Sequence, residues 1–102
     1  MSKQEAERLV RLCLEQGEIV PGKHFRDELI NEDLSFEDAW GVLKTGKIYD
    51  PPEQDLKSGE WKYRLEGYES GGKWVVIVLS FKSRVRTFLI TVFSVKAREK
   101  RS

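Results

Sequence analysis

Apolar residues recur at intervals of three and four through the first half of the chain, then alternate or run together in the second half. In KQEAERLVRLCLEQ, Ala6, Leu9, Leu12 and Cys13 fall on one stripe, which predicts a helix over about Lys3–Gln16, stopped by Gly17. The stripe is narrow, so this helix is expected to cover an edge. Pro21-Gly22 redirects the chain, and a second helix is expected from Lys23 to Asn31 with Phe25 and Leu29 inward. Ser35 followed three residues later by Asp38 is a capping pattern. It opens a third helix that runs to about Thr45, buries Phe36, Ala39, Trp40 and Leu43, and stops at Gly46.

YDPPEQDLKSGE reads as a loop, because two prolines and a cluster of acids disfavour a helix or strand interior. Three strands follow. WKYRLEGY alternates, with Trp61, Tyr63 and Leu65 on one face and Lys62, Arg64 and Glu66 on the other. KWVVIVLSF is apolar on both faces, as suits a central strand, and VRTFLITVFSV is β-branched and aromatic. Ser70-Gly71-Gly72 predicts one hairpin and Lys82-Ser83 the next. The expected fold class is α+β, with N-terminal helices packed on one face of a C-terminal antiparallel meander of three or four strands. Phe25, Leu29, Phe36, Trp40, Leu43, Tyr63, Leu65, Trp74, Val76 and Val78 are the expected core between the layers.

Two-residue turns at both hairpins set Arg64 opposite Leu79 and Leu79 opposite Arg86. Arg64 and Arg86 would then share one sheet face about 10 Å apart, with Lys62, Phe81 and Arg84 as the next row. Cations around an aromatic on an open sheet face suit an RNA backbone and an unstacked base, and Tyr68 on the same face is a stacking candidate. The plainer alternative is a solvated face that discourages edge pairing. A one-residue slip would scatter the cluster. In this register Thr91 falls on the face opposite Arg64.

The chain has 102 residues, enough for one domain over 1–102, and 18 Lys and Arg nearly balance 17 Asp and Glu. A net charge of +1 gives no global pull toward nucleic acid, so any such affinity must come from local segregation. Acids crowd from Asp27 to Asp38, whereas from Lys73 onward the cations meet only Glu99. The basic end from Ala97 to Ser102 is expected to fray. A lone Cys13 on an apolar stripe forms no internal disulfide and reads as a small hydrophobe, pointing to a reducing cytoplasm. MSKQEAERLVRL lacks the apolar segment of a signal peptide, VVIVL is too short to span a bilayer, and no membrane partner is expected. No cluster of metal ligands and no glycine-rich phosphate loop is visible, so neither metal nor cofactor is expected.

His24, the single histidine, begins the second helix between Lys23 and Arg26. It is one residue, about 100° of helix, before the inward Phe25, so its ring is expected half covered at the border of the buried face. Histidine is the side chain whose unperturbed pKa lies nearest neutrality, and the flanking cations would attract phosphate. The alternative is a polar residue that merely ends a helix.

KHFRDEL, LSFEDAWGVLKTGKI, WKYRLEG, KWVVIV and FLITVFSV together resemble a branch of the RelE-like and MqsR-like toxins, ribonucleases of type II toxin–antitoxin systems. The resemblance covers roughly Lys23 to Val95. It implies a RelE-like α+β domain acting as a metal-independent endoribonuclease, an mRNA interferase. Its partners would be messenger RNA, free or on the ribosome, and a cognate antitoxin protein. The family's histidine falls on His24, its helix arginine on Arg26, its strand cation on Arg64 and its last-strand threonine on Thr91. Phe93 stands where a tyrosine commonly ends the motif, which removes one hydroxyl. Attack of the ribose 2′-hydroxyl on the adjacent phosphate needs a base, cations for the phosphorane and an acid for the leaving oxygen. His24 is the expected base or acid, Arg64 and Arg86 the phosphate ligands, and Thr91 an orienting hydroxyl. Lys23, Arg26, Lys62, Arg84 and Tyr68 would hold substrate. The alternative on the same fold is a non-catalytic module that binds RNA or protein through its sheet.

Overall fold

The computed structural model describes residues 1–95, and the basic end of the chain lies outside them. Three helices precede the main strands: α1 (Lys3–Gln16), α2 (Lys23–Asn31) and α3 (Phe36–Thr45). Strands β1 (Glu18–Pro21), β2 (Lys47–Ile48), β3 (Glu53–Gln54), β4 (Trp61–Tyr68), β5 (Trp74–Ser83) and β6 (Arg86–Val95) form the sheet. The α+β class is as expected, and β4, β5 and β6 form an antiparallel meander with β5 at its centre. The sheet as a whole is mixed, because β1 adds to β6 in parallel, pairing Glu18 with Arg86 and Pro21 with Leu89. β1 has four residues and ends in proline, a composition tolerated only at an edge, so periodicity alone does not reveal it. None of the helices among the described residues is long and apolar enough to cross a membrane.

Both capping boxes close. Ser2 and Glu5 exchange side-chain and backbone hydrogen bonds at the start of α1, and Ser35 and Asp38 do so at α3. Arg11 of α1 donates from Nε to the Lys44 carbonyl (2.8 Å) and from Nη2 to the Gly46 carbonyl (2.6 Å). A cation thus satisfies carbonyls left open at the end of α3. Glu7 accepts from the Ile48 amide at 2.8 Å, tying α1 to β2 as well. Cys13 is buried with its thiol toward the Arg84 carbonyl, so it acts as packing.

The core lies between the helices and one sheet face. Ala6, Val10, Phe25, Leu29, Ala39, Val42 and Leu43 meet Tyr63, Leu65, Val75, Ile77, Leu79, Leu89 and Val92. Five core expectations need correction. Phe36 is 48% exposed, since as the first residue of α3 it precedes the turn that packs, and Trp40 is only partly buried beside it. On β5 the odd-numbered residues face the helices, so Trp74, Val76 and Val78 lie on the other side. A strand apolar on both faces carries no phase of its own.

Hairpin chemistry explains the slip. Glu69 pairs with Lys73 around Ser70-Gly71-Gly72, with Gly72 at φ +94, a conformation that favours glycine. The loop therefore has three residues, and Arg64 pairs with Val78 rather than Leu79. The second turn is Arg84-Val85, two residues later than expected, so Ser83 pairs with Arg86. A β-bulge then intervenes in β6 between Leu89 and Thr91.

α2 starts where β1 stops, for the Gly22 amide still donates to the Leu89 carbonyl at 3.0 Å. At its other end Glu32 accepts from the Ser94 amide. The helix therefore runs along the outer edge of β6 beyond the reach of β1. A carboxylate takes one edge amide that would otherwise invite another strand.

Candidate functional site

Alternation places Lys62, Arg64, Glu66 and Tyr68 of β4 on the face that carries no helix among the described residues, opposite the inward Tyr63 and Leu65. Arg64 pairs with Val78, and Val78 pairs with Thr91. The bulge at Ile90 has re-phased β6, so Thr91 comes to the same face as Arg64 instead of the opposite one. Across two strand spacings their Cα atoms are about 10 Å apart. Phe93, next on that face, lies under the Arg64 guanidinium at 5.6 Å from carbon to ring centroid.

β2 and β3 both pair with β4, and they behave as one interrupted strand. Lys47 and Ile48 oppose Glu66 and Leu65, while Glu53 and Gln54 oppose Lys62 and Trp61. The four residues 49–52 thus face only two on β4, Tyr63 and Arg64. Pro51 and Pro52 lack amide hydrogens and cannot continue the ladder, so the surplus chain bulges out over Arg64. The result is a cavity of about 350 Å³ lined by Asp50, Pro51, Pro52, Glu53, Lys62, Arg64, Val78 and Phe93. That volume lies in the range that small-molecule sites occupy.

Two of the cations expected to bind phosphate are ion-paired, as is Lys82, which was not among them. Lys62 meets Asp55 at 3.2 Å, Arg86 meets Glu18 at 3.0 Å, and Lys82, one residue past Phe81, meets Glu60 at 2.6 Å. Arg64 differs. Its Nε is buried and has no hydrogen-bond partner among the described residues. A buried donor left unmade costs about 1–3 kcal/mol.

Asp55 anchors the far end of the bulged segment. Its carboxylate accepts from the amides of Lys57 (2.8 Å) and Ser58 (3.1 Å) and pairs with Lys62. The amide of Ser58, then that of Lys57, then the Lys62 side chain hold its pKa down to about 2 from the ordinary 3.8. The folded value lies below the unfolded one, so this contribution to stability is full above about pH 4 and is lost as pH falls toward about 2. The melting temperature is therefore expected to fall across that window by a smaller amount in Asp55→Asn than in the wild type. Equal falls would show that the anchor adds nothing.

Beyond Arg64 the same face carries an aromatic cluster. Tyr68 meets Trp74 edge-on at 4.7 Å between centroids, and Tyr49 lies 6.0 Å from Trp74. Trp74 donates from Nε1 to the buried Glu66 carboxylate at 3.0 Å. Tyr68 is 58% exposed.

The remaining expected site residues are dispersed. His24 is exposed rather than half covered, as are Lys23 and Arg26, and none of the three lines the cavity at Arg64. Arg86 pairs at the hairpin end, five residues from Thr91 along β6. Arg84 sits in the turn and, with Phe81, lines a groove against α1 instead of forming a row with Lys62. Asp50, Pro51, Pro52, Glu53 and Val78 were not anticipated. Their signal is the Pro-Pro pair between two short segments that could each pair with the same strand.

The model of a family described as Domain of unknown function (DUF4258) matches residues 21–94, a stretch that contains every residue lining the cavity. No curated protein and no solved structure matches the chain.

Proposed function

The chain belongs to the DUF4258 family, and from that premise we propose that its helix-free sheet face binds single-stranded RNA, with one nucleotide entering the cavity at Arg64. The observation that carries this reading is Arg64 itself, a guanidinium with a buried unpartnered Nε, seated on Phe93 inside a cavity. Arginine presents a rigid fork of donors matched to paired acceptors, and an aromatic beside it suits an unstacked base. Tyr68 offers a second stacking surface on the same face. Lys62 and Lys82 are partly exposed in weak surface pairs, from which a phosphate can draw them.

The sequence resemblance to RelE-like and MqsR-like toxins supports this reading, and on that kinship a cognate antitoxin would cover the same face. Binding stands ahead of cleavage on one point. Attack by a 2′-hydroxyl needs a base beside the phosphate, and His24 is not among the residues lining the cavity.

Fluorescence anisotropy with a short labelled single-stranded RNA tests the reading. Arg64→Ala is expected to weaken binding about 10- to 100-fold, as the loss of a hydrogen bond to a charged group implies. Arg86→Ala, already satisfied by Glu18, is expected to change it less than about threefold. Equal binding by wild type and Arg64→Ala, or none by the wild type, would sink the proposal. Incubation of the same RNA with pure protein, with and without EDTA, reads cleavage directly.

A further inference from the structure

The cavity at Arg64 also holds carboxylates, and they bear on which part of a nucleotide it takes. Asp50 and Glu53 line it together with Arg64 and Lys62. Glu53 pairs with Lys62 across the ladder, so its side chain lies on the helix-free face beside Arg64's strand. A phosphate seated on Arg64 would stand against these carboxylates, and like charges in one partly enclosed site repel. A nucleobase carries no such charge.

From these groups we infer that the cavity is a guanine pocket. This rests on the reading of the face as an RNA site and specifies which base enters. Guanine is the base that presents two adjacent acceptors, O6 and N7, on one edge and two adjacent donors, N1–H and the N2 amino group, on the next. The guanidinium of Arg64, which lines the cavity, offers paired N–H donors in the fork that meets O6 and N7. The carboxylate of Glu53 accepts from N1–H and N2–H. Phe93, Val78, Pro51 and Pro52 supply apolar walls for the ring faces. Adenine offers a donor where Arg64 needs a second acceptor. Uracil and cytosine lack the N7 acceptor and the N2 amino group.

The pocket differs from a phosphate site in how it responds to substitution. Phosphate binding depends on charge and survives exchange of arginine for lysine, whereas base reading depends on the fork.

The test is titration of the whole chain with GMP, IMP, AMP, CMP and UMP, followed by calorimetry, alongside guanine-containing and uracil-only single-stranded RNA. GMP is expected to bind about 5- to 150-fold more tightly than AMP, CMP or UMP. IMP, which lacks the N2 amino group, falls between. Glu53→Ala is expected to make GMP and IMP bind alike, both more weakly than IMP binds the wild type. Arg64→Lys is expected to abolish the preference for GMP over AMP and for guanine-containing over uracil-only RNA. Should wild type bind both RNAs equally, with Arg64→Lys as good as wild type, the guanine pocket is overturned and the RNA face survives with Arg64 on phosphate. Should no RNA bind at all, the RNA reading fails too. GMP binding that Arg64→Ala and Glu53→Ala leave untouched would place guanine elsewhere and overturn the pocket.

Discussion

Deleting Pro51 and Pro52 is expected to abolish nucleotide binding, by more than about 100-fold, and to leave the domain folded. Four residues of the β2–β3 segment face two of β4, so removing two brings the segment into continuous register. Tyr49 and Asp50 then oppose Arg64 and Tyr63, and backbone groups interrupted by the prolines can pair. Two additional ladder hydrogen bonds at about 0.5–1.5 kcal/mol each work against the cost of turning Asp50 toward the inward Tyr63. The domain is therefore expected to stay folded with a melting temperature near that of the wild type. The cavity, however, owes one of its walls to the excursion. Any GMP or RNA binding measured with the wild type should then be lost. Unchanged GMP affinity in the deletion would mean that the excursion does not build the site. A collapsed melting temperature would mean that the prolines support the fold.

Phe25→Ala is expected to destabilise the domain by about 3–5 kcal/mol. Phe25 is fully buried and lies in the core with Leu89 and Val92, where it fixes α2 to the sheet. In a domain of this size each kcal/mol moves the midpoint by about 4–8 °C, so thermal denaturation followed by circular dichroism should shift down by more than about 12 °C. A shift of only a few degrees would show that α2 is held by its ends, at Gly22 and Glu32, and not by its apolar face. Comparison with Leu29→Ala, three per cent exposed on the same face, would separate loss of ring volume from loss of the helix anchor.

The helices were legible because each carried its own punctuation. Ser35 and Asp38 cap α3 as their spacing predicts, and Gly17 and Gly46 follow α1 and α3. The three long strands were legible from β-branched and aromatic content. Register was not, because it depends on turn length, and KSRV can turn at Lys82-Ser83 or at Arg84-Val85. The apolar β5 offered no alternation to choose between the two, and the bulge at Ile90 has no marker in FLITVF. The site suffered accordingly: Arg64 stood on the expected face, while Arg86, Arg84 and Thr91 changed places relative to it. Short strands escaped for a different reason. Glu18–Pro21 and Glu53–Gln54 are too brief for any period to register, and their pairing depends on partners far along the chain.

The parallel pairing of β1 with β6 has a consequence for synthesis. Glu18 meets Arg86, a residue 68 positions later. At ordinary elongation rates of about 5–20 residues per second, the first strand leaves the ribosome about 3 to 14 s before its partner exists. Through that interval Ala6, Val10 and Cys13 of α1, all buried in the finished domain, have no sheet to lie against. α1 and β1, translated before the other elements described, are thus among the last to settle, and the nascent chain carries an amphipathic helix open to chaperones until its closing hairpin emerges.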